Sequence, residues 1–261
     1  MRIARYWDAA ANAAKYGVVE GDVVRELAGH PYREIVTTSN TRPLGATQLL
    51  APCEPTKIIA GGANYHGHLK EIGLPVPTVP VFFLKPPTSL IGPGQPVIYP
   101  PQTQKLEYEG ELAVVVKRPM RNTPPGEVLK NLLGYTCVND VTARDIQAIG
   151  GSLLHLCHSK SFDTFCPTGP WVETDLDAHA LDIELRINGA VRQKTTNTSD
   201  MIFPVEEMVS YFSKVMTLLP GDLILTGAPP GVGGMKVGDS VEVIISGIGT
   251  LRHGVVAAAQ P

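Results

Sequence analysis

Apolar positions along the chain recur in short runs cut by glycine and proline, a pattern that predicts many short strands and few helices. Tyr16-Gly-Val-Val, Glu20-Gly21 and Asp22-Val-Val predict two strands across a glycine-containing turn, so residues 1–50 read as a small β-rich domain. Leu49–Pro55, with two prolines and no long periodicity, is the expected boundary, and 51–261 form the main domain. There, Lys57-Ile-Ile-Ala, stopped by Gly61-Gly62, and Val79-Pro-Val-Phe-Phe-Leu read as strands, as does Glu107–Lys117. Leu181–Gln193 predicts a hairpin, because Asn188-Gly189 supplies the positive φ angles of a two-residue turn. Near the end, Leu223-Ile-Leu and Val241–Ile245 are strands on either side of the glycine-rich Gly227–Gly234.

Two helices stand against this background. Pro204–Met216 places Val205, Met208, Val209, Phe212, Val215 and Met216 on one stripe, with Glu206 and Glu207 near the positive end of the dipole. Thr123–Leu133 opens Thr-Pro-Pro and stops before Gly134, the expected signature of a helix start and end.

Composition narrows the class. With 43% apolar and 18% charged residues the chain is a folded globular protein, and a formal charge of −3 offers no basic field for nucleic acid. The charged start and the lack of a long apolar stretch predict a cytoplasmic protein with no membrane partner. Cys53, Cys137, Cys157 and Cys166 show no Cys-x-x-Cys spacing and read as idle thiols, although Cys157 adjoins His158.

The candidate chemistry begins with Tyr108-Glu-Gly-Glu111. A strand points residues i and i+2 to one face, so Glu109 and Glu111 stand side by side and need a cation, solvent or a shared proton. A solvated edge would explain a bare Glu-x-Glu, but Ala113 and Val115 continue the face as apolar residues, which turns the pair toward an interior. Asp140, after the apolar segment Leu132–Val138, offers a third oxygen donor, and three carboxylates suit Mg²⁺, Mn²⁺ or Ca²⁺ better than zinc. A helix starting near Tyr65 would stack His68 and Glu71 at i and i+3, a carboxylate-oriented base or else a surface pair. Arg144 and Gln147 share a helical face by the same spacing, and Lys160 could temper a carboxylate cluster; surface salt bridges explain both equally well. The glycine-rich stretch has neither a phosphate-loop ending nor a dinucleotide fingerprint, and reads as a turn bringing backbone amides near a ligand.

Taken together, Gly62-Ala-Asn-Tyr-His-Gly-His68-Leu-Lys-Glu71, Phe83-Leu-Lys-Pro-Pro, Tyr108-Glu-Gly-Glu, Asn139-Asp-Val-Thr-Ala-Arg-Asp, Lys160-Ser-Phe-Asp-Thr-Phe-Cys-Pro, Asn197-Thr-Ser-Asp and Pro220-Gly-Asp-Leu-Ile-Leu-Thr-Gly resemble the fumarylacetoacetate hydrolase family over most of residues 57–255. The resemblance implies an α+β, mostly β fold, a mixed β-roll with a double-sheet core, assembled as a homodimer. It implies Glu109, Glu111 and Asp140 as ligands of Mg²⁺ (or Mn²⁺), Lys160 beside that ion, and His68 and Glu71 as a mobile lid dyad. Arg144 and Gln147 match residues bordering the substrate pocket, and the Thr226-Gly227 turn is expected at the substrate carboxylate. This sequence departs from many relatives at Ala228, where a second threonine is common, at Ile149–His158, which lacks the usual Trp and Arg, and at His66, an added imidazole. The expected reaction is metal-dependent hydrolysis or decarboxylation at a C–C bond of a small 2-oxo or β-diketo acid, in the catabolism of aromatic or related compounds. A tautomerase or isomerase of 2-oxo or 2-hydroxydienoate acids is the alternative, and a non-catalytic ligand-binding protein the third reading.

Overall fold

The computed structural model describes residues 1–151 and 155–259. The fold is α+β and mostly β, as the short apolar runs predicted. One large sheet follows the path Thr37–Pro43, Val23–Leu27, Ala13–Glu20, Arg2–Asp8, Cys166–Glu173, Leu132–Asn139, Gly110–Val116, Leu223–Leu225, Ile58–Gly62, Val81–Lys85. The N-terminal strands join it through pairing of Arg2 and Ile3 with Glu173 and Val172. A second, five-stranded sheet runs Ala190–Asn197, Asp182–Ile187, Ser240–Ile245, Gly249–Ala257, Val97–Tyr99. Asn188 and Gly189 turn the hairpin at φ 52° and 78°, the left-handed pair that Asn-Gly is suited to. No described helix is long and apolar enough to cross a membrane.

Gly110–Val116 is buried along its whole length because both of its faces are covered. Leu112, Val114 and Val116 pack in a cluster with Ile183, Leu185 and Val243 of the second sheet. Ala113 and Val115 face the other way, into a cluster with Ala60, Phe83, Val138 and Leu225 from the large sheet itself. That inner face exists because the sheet coils. Leu132–Asn139 and Val81–Lys85 are four strand spacings apart along the path, about 19 Å if flat, yet Lys85 Nζ lies 2.6 Å from Asp140 Oδ1. The roll therefore closes on its inner face, where Lys85 and Asp140 meet.

Two elements differ from the sequence expectation. The helix expected over Thr123–Leu133 is α-helical only at Pro125–Val128, followed by a 3-10 turn at Leu129–Asn131. The Asn131 carbonyl accepts Lys117 and Arg118 N–H, which draws the chain into the sheet and lets Leu132 open a strand. The strand expected at Glu107–Lys117 breaks at Glu109 into Leu106–Tyr108 and Gly110–Val116. Helix Val205–Val215 forms where expected, with Val205, Met208, Val209 and Phe212 in the core and Glu206 and Glu207 in its first turn, but Val215, expected on the same stripe, ends the helix half exposed.

Candidate active site

The break in the strand is where the site begins. Glu109 N–H donates to Asn139 Oδ1 (2.9 Å) and its carbonyl accepts Asp140 N–H (2.8 Å), so strand pairing gives way to contacts that hold the two acidic residues together. Glu109, Glu111 and Asp140 are 7%, 1% and 1% exposed, and each brings a carboxylate oxygen within 4.8 Å of the other two. Three cations surround them. Lys160 Nζ lies 2.6 Å from both Glu109 Oε2 and Asp140 Oδ2, Lys85 Nζ 2.6 Å from Asp140 Oδ1, and Arg144 Nη2 2.5 Å from Glu109 Oε1. Arg144 also donates from Nε to Glu107 Oε2 (2.6 Å) and from Nη1 to Gln147 Oε1.

The carboxylates respond differently to one environment. Burial works against ionising Glu109, but the Lys160 and Arg144 charges beside it outweigh that and bring its pKa down to about 2. Glu111 is pushed well above the carboxylate range, first by burial and then by the charges of Asp140 and Glu109. Lys160 keeps its proton despite burial because Asp140 and Glu109 hold it. Glu111 thus carries an unrelieved like-charge conflict amid hard oxygen donors. A divalent Mg²⁺ or Mn²⁺ relieves that conflict, so these residues fit such an ion.

Beside the cluster opens a cavity of about 430 Å³ whose lining includes Glu109, Lys160, Arg144, Gln147, His68 and Glu71. Helix His66–Ile72 carries the last two, its Gly67 N–H held by Asp200 Oδ2 (2.9 Å). His68 Nδ1 is 3.4 Å from Glu71 Oε2, adjacent as the i, i+3 spacing predicted. The Glu71 carboxylate also accepts Gly231 N–H at 3.0 Å, tying the helix to the glycine-rich loop. His66 is exposed and points away from this pair's face, as a helical rather than extended backbone requires.

Thr226 and Gly227 are not among the residues lining the cavity. The Thr226 hydroxyl donates to Leu112 carbonyl (2.9 Å), and Gly227 N–H donates to Glu111 Oε2 (2.8 Å). The turn does bring a backbone amide to an anion, but the anion is Glu111; Ala228 is the residue that reaches the cavity. Cys53, Cys137 and Cys166 are buried and Cys157 is exposed. Ser152, Leu153 and Leu154, in the segment flagged for its missing Trp and Arg, lie outside the described residues.

Several neighbours of the site were not singled out in the sequence. Lys85 sits inside a recognised motif, and its signal was alternation: Phe83 is buried in Val81–Lys85, so the lysine two residues on faces inward too. Asp200 closes the Asn197-Thr-Ser-Asp motif in the same way, whereas Glu107 left no comparable trace. His253, buried between Leu251 and Val255 on the inward face of Gly249–Ala257, supports the cluster indirectly. Asn139 presents Oδ1 to Glu109 N–H, so its Nδ2 donates to His253 Nε2 (2.9 Å), which leaves Nδ1 to donate to the Gly254 carbonyl (3.1 Å). Burial lowers this imidazole from 6.5 to about 4. Between those values the unfolded chain binds the extra proton, so the contribution to stability is present above about 6.5 and is lost as pH falls toward 4. The expected loss is roughly 2 kcal/mol between pH 7.5 and pH 5. Urea titrations at those two pH values should show this component shrinking in His253→Gln; an unchanged pH dependence would assign it to other groups.

A coiled β-roll with a buried carboxylate cluster beneath a cavity and a histidine-bearing helix defines the class. A family model described as fumarylacetoacetate (FAA) hydrolase C-terminal matches residues 57–256, and one described as Rv2993c-like, N-terminal, matches residues 1–52. The chain belongs to the fumarylacetoacetate hydrolase family. It is 42% identical over 271 residues to Protein Rv2993c of Mycobacterium tuberculosis, covering 100% of each chain. Bovine (Bos taurus) oxaloacetate tautomerase FAHD2A, mitochondrial, is 37% identical over 235 residues, 86% of this chain and 74% of that protein. Among solved structures, 5-carboxymethyl-2-hydroxymuconate delta-isomerase from Mycobacterium smegmatis superposes with a TM-score of 0.91 at 40% identity, covering 99% of this chain and 100% of that one. Maleylpyruvate hydrolase from Sphingobium sp. SYK-6, in complex with manganese (II) ion and pyruvate, superposes at 0.80 with 30% identity over 99% of this chain and 100% of that one.

Proposed function

We propose that the protein is a Mg²⁺- or Mn²⁺-dependent enzyme that moves a proton at the carbon next to the oxo group of a small 2-oxo acid, as an isomerase or tautomerase. The carrying observation is the juxtaposition of the Glu109, Glu111 and Asp140 cluster with His68 across one cavity. Glu109, Glu111 and Asp140 would hold the ion, which supplies a Lewis acid for the oxo group and offsets the negative charge that develops on its oxygen.

Arg144 and Gln147, locked to each other and to Glu107, present a fixed edge for orienting the carboxylate and oxo group. His68 exchanges the proton at the adjacent carbon, with the Glu71 carboxylate 3.4 Å from its Nδ1 to favour the charged imidazole. Phe83, its ring 5.2 Å from Lys160 Nζ, keeps water from that side. The sequence put C–C cleavage first. The relatives named tautomerase and isomerase, at 37% and 40% identity, weigh toward proton transfer instead. Hydrolysis stays as the second reading, favoured by the manganese and pyruvate in a structure named for maleylpyruvate hydrolysis. The proposal extends to a homodimer, the assembly the resemblance implies.

The deciding experiment follows deuterium entering C3 of 2-oxo acids in D₂O by NMR with Mg²⁺-loaded protein, alongside mass spectrometry of acylpyruvates. Exchange without cleavage supports the isomerase reading, cleavage supports the hydrolase, and neither on any substrate rejects both.

A further inference from the structure

Two chemistries share the cavity. Its charged side, with Glu109, Lys160, Arg144 and Gln147, accounts for the carboxylate and oxo group. Ile72, Leu74, Val81, Phe83, Ala228 and Val232, also in the lining, form a hydrocarbon wall. Ile72 ends the helix that carries His68 and Leu74 follows its Gly73 C-cap, and the two are 47% and 45% exposed. Val81 and Phe83 share one face of a strand, and Ala228 and Val232 come from the glycine-rich loop, so three separate elements converge on one apolar surface. Half-exposed large apolar side chains along a cavity are a surface for a hydrocarbon group to cover.

A second carboxylate would find no partner on this wall. Among the described residues, Arg144 and Lys160 are the only lysine or arginine lining the cavity, and both are committed to Glu107, Glu109 and Asp140. His68 already has Glu71 beside it, and Glu71 and Glu107 add negative charge to the lining. Ser152, Leu153 and Leu154 carry no charge by sequence. Lys70, Lys105 and Arg192 are exposed and stand outside the lining, and Lys105 is paired with Glu107 at 3.2 Å. A carboxylate placed against Val81 and Val232 would lose its hydration without replacement.

Resting on the oxo-acid reading above, we propose that the enzyme selects 2-oxo acids whose substituent beyond C3 is an apolar hydrocarbon group and discriminates against those carrying a second carboxylate there. This sets it apart from a preference for oxaloacetate, the acid in the name of its bovine relative.

Unreactive analogues test this by calorimetry on Mg²⁺-loaded protein. Oxamate reports the shared end, while N-isobutyl oxamate and N-oxalylglycine are isosteres differing in an apolar group against a carboxylate. N-Isobutyl oxamate should bind at least tenfold more tightly than N-oxalylglycine, and more tightly than oxamate by up to roughly fourfold per buried carbon. Val232→Arg, which sets a cation in the wall, should narrow or reverse the ratio. Equal or tighter binding of N-oxalylglycine by the unaltered protein overturns the proposal, as does a Val232→Arg ratio that does not move. Should oxamate itself fail to bind, the oxo-acid reading falls and this assignment with it; oxamate binding with the wrong ratio overturns only the assignment.

Discussion

Treatment with EDTA is expected to reduce turnover to background, and Mg²⁺ or Mn²⁺ to restore it. Glu109, Glu111 and Asp140 offer oxygen donors alone, all buried, and Glu111 is forced toward protonation by burial and by its two acidic neighbours. A Lewis acid at an oxo group contributes several kcal/mol to the barrier, or on the order of a thousandfold or more in rate. The cations already present do not replace it, since Lys160 and Arg144 are engaged with Glu109 and Lys85 with Asp140. Glu109→Gln should separate metal binding from folding. It removes a charge from the cluster at constant shape, so calorimetric titration should show metal affinity at least about tenfold weaker, or 1.4 kcal/mol, with an unaltered circular dichroism spectrum. Full turnover by metal-free protein would sink the assignment.

What the sequence disclosed and what it hid follow from how far the contacts reach along the chain. Alternation in Gly110–Val116 was local, so the inward turn of Glu111 above Ala113 and Val115 was legible, and burial on both faces agrees with it. The i, i+3 spacings of His68 with Glu71 and Arg144 with Gln147 were equally local, and both pairs are adjacent in space. Lys85 was hidden because its partner Asp140 lies 55 residues away, brought near by the coiling of a sheet whose path no local pattern announces. Thr226 and Gly227 show the opposite difficulty. Their motif was visible, but whether a buried hydroxyl and amide turn to a ligand or to the protein depends on Leu112 and Glu111, both more than a hundred residues earlier. The helix at Thr123–Leu133 was cut short by a sheet contact at Asn131, a tertiary override of good local signals.

His68→Ala is expected to lower kcat for proton exchange at C3 by roughly 10² to 10⁴, the range for losing a positioned general base. The imidazole lines the same cavity as Glu109 and Lys160, and among the described residues it is the only histidine there. The proposed function assigns the carboxylate end of the substrate to other residues, so KM should change little and the loss should fall on kcat. Metal affinity should also persist, because the three candidate ligands are untouched. Glu71→Gln is expected to follow more weakly. It removes the charge 3.4 Å from Nδ1 but leaves the base in place, and it disturbs the bond from Gly231 N–H that ties the helix to the loop. Any decarboxylation of oxaloacetate should survive His68→Ala better than proton exchange does, since a departing CO₂ needs no base and draws only on the metal's electron-withdrawing effect. The contrast between reactions is therefore more telling than either rate alone. Equal, mild losses for both variants on both reactions would reduce His68 and Glu71 to a helix-surface pair and leave proton transfer to another group.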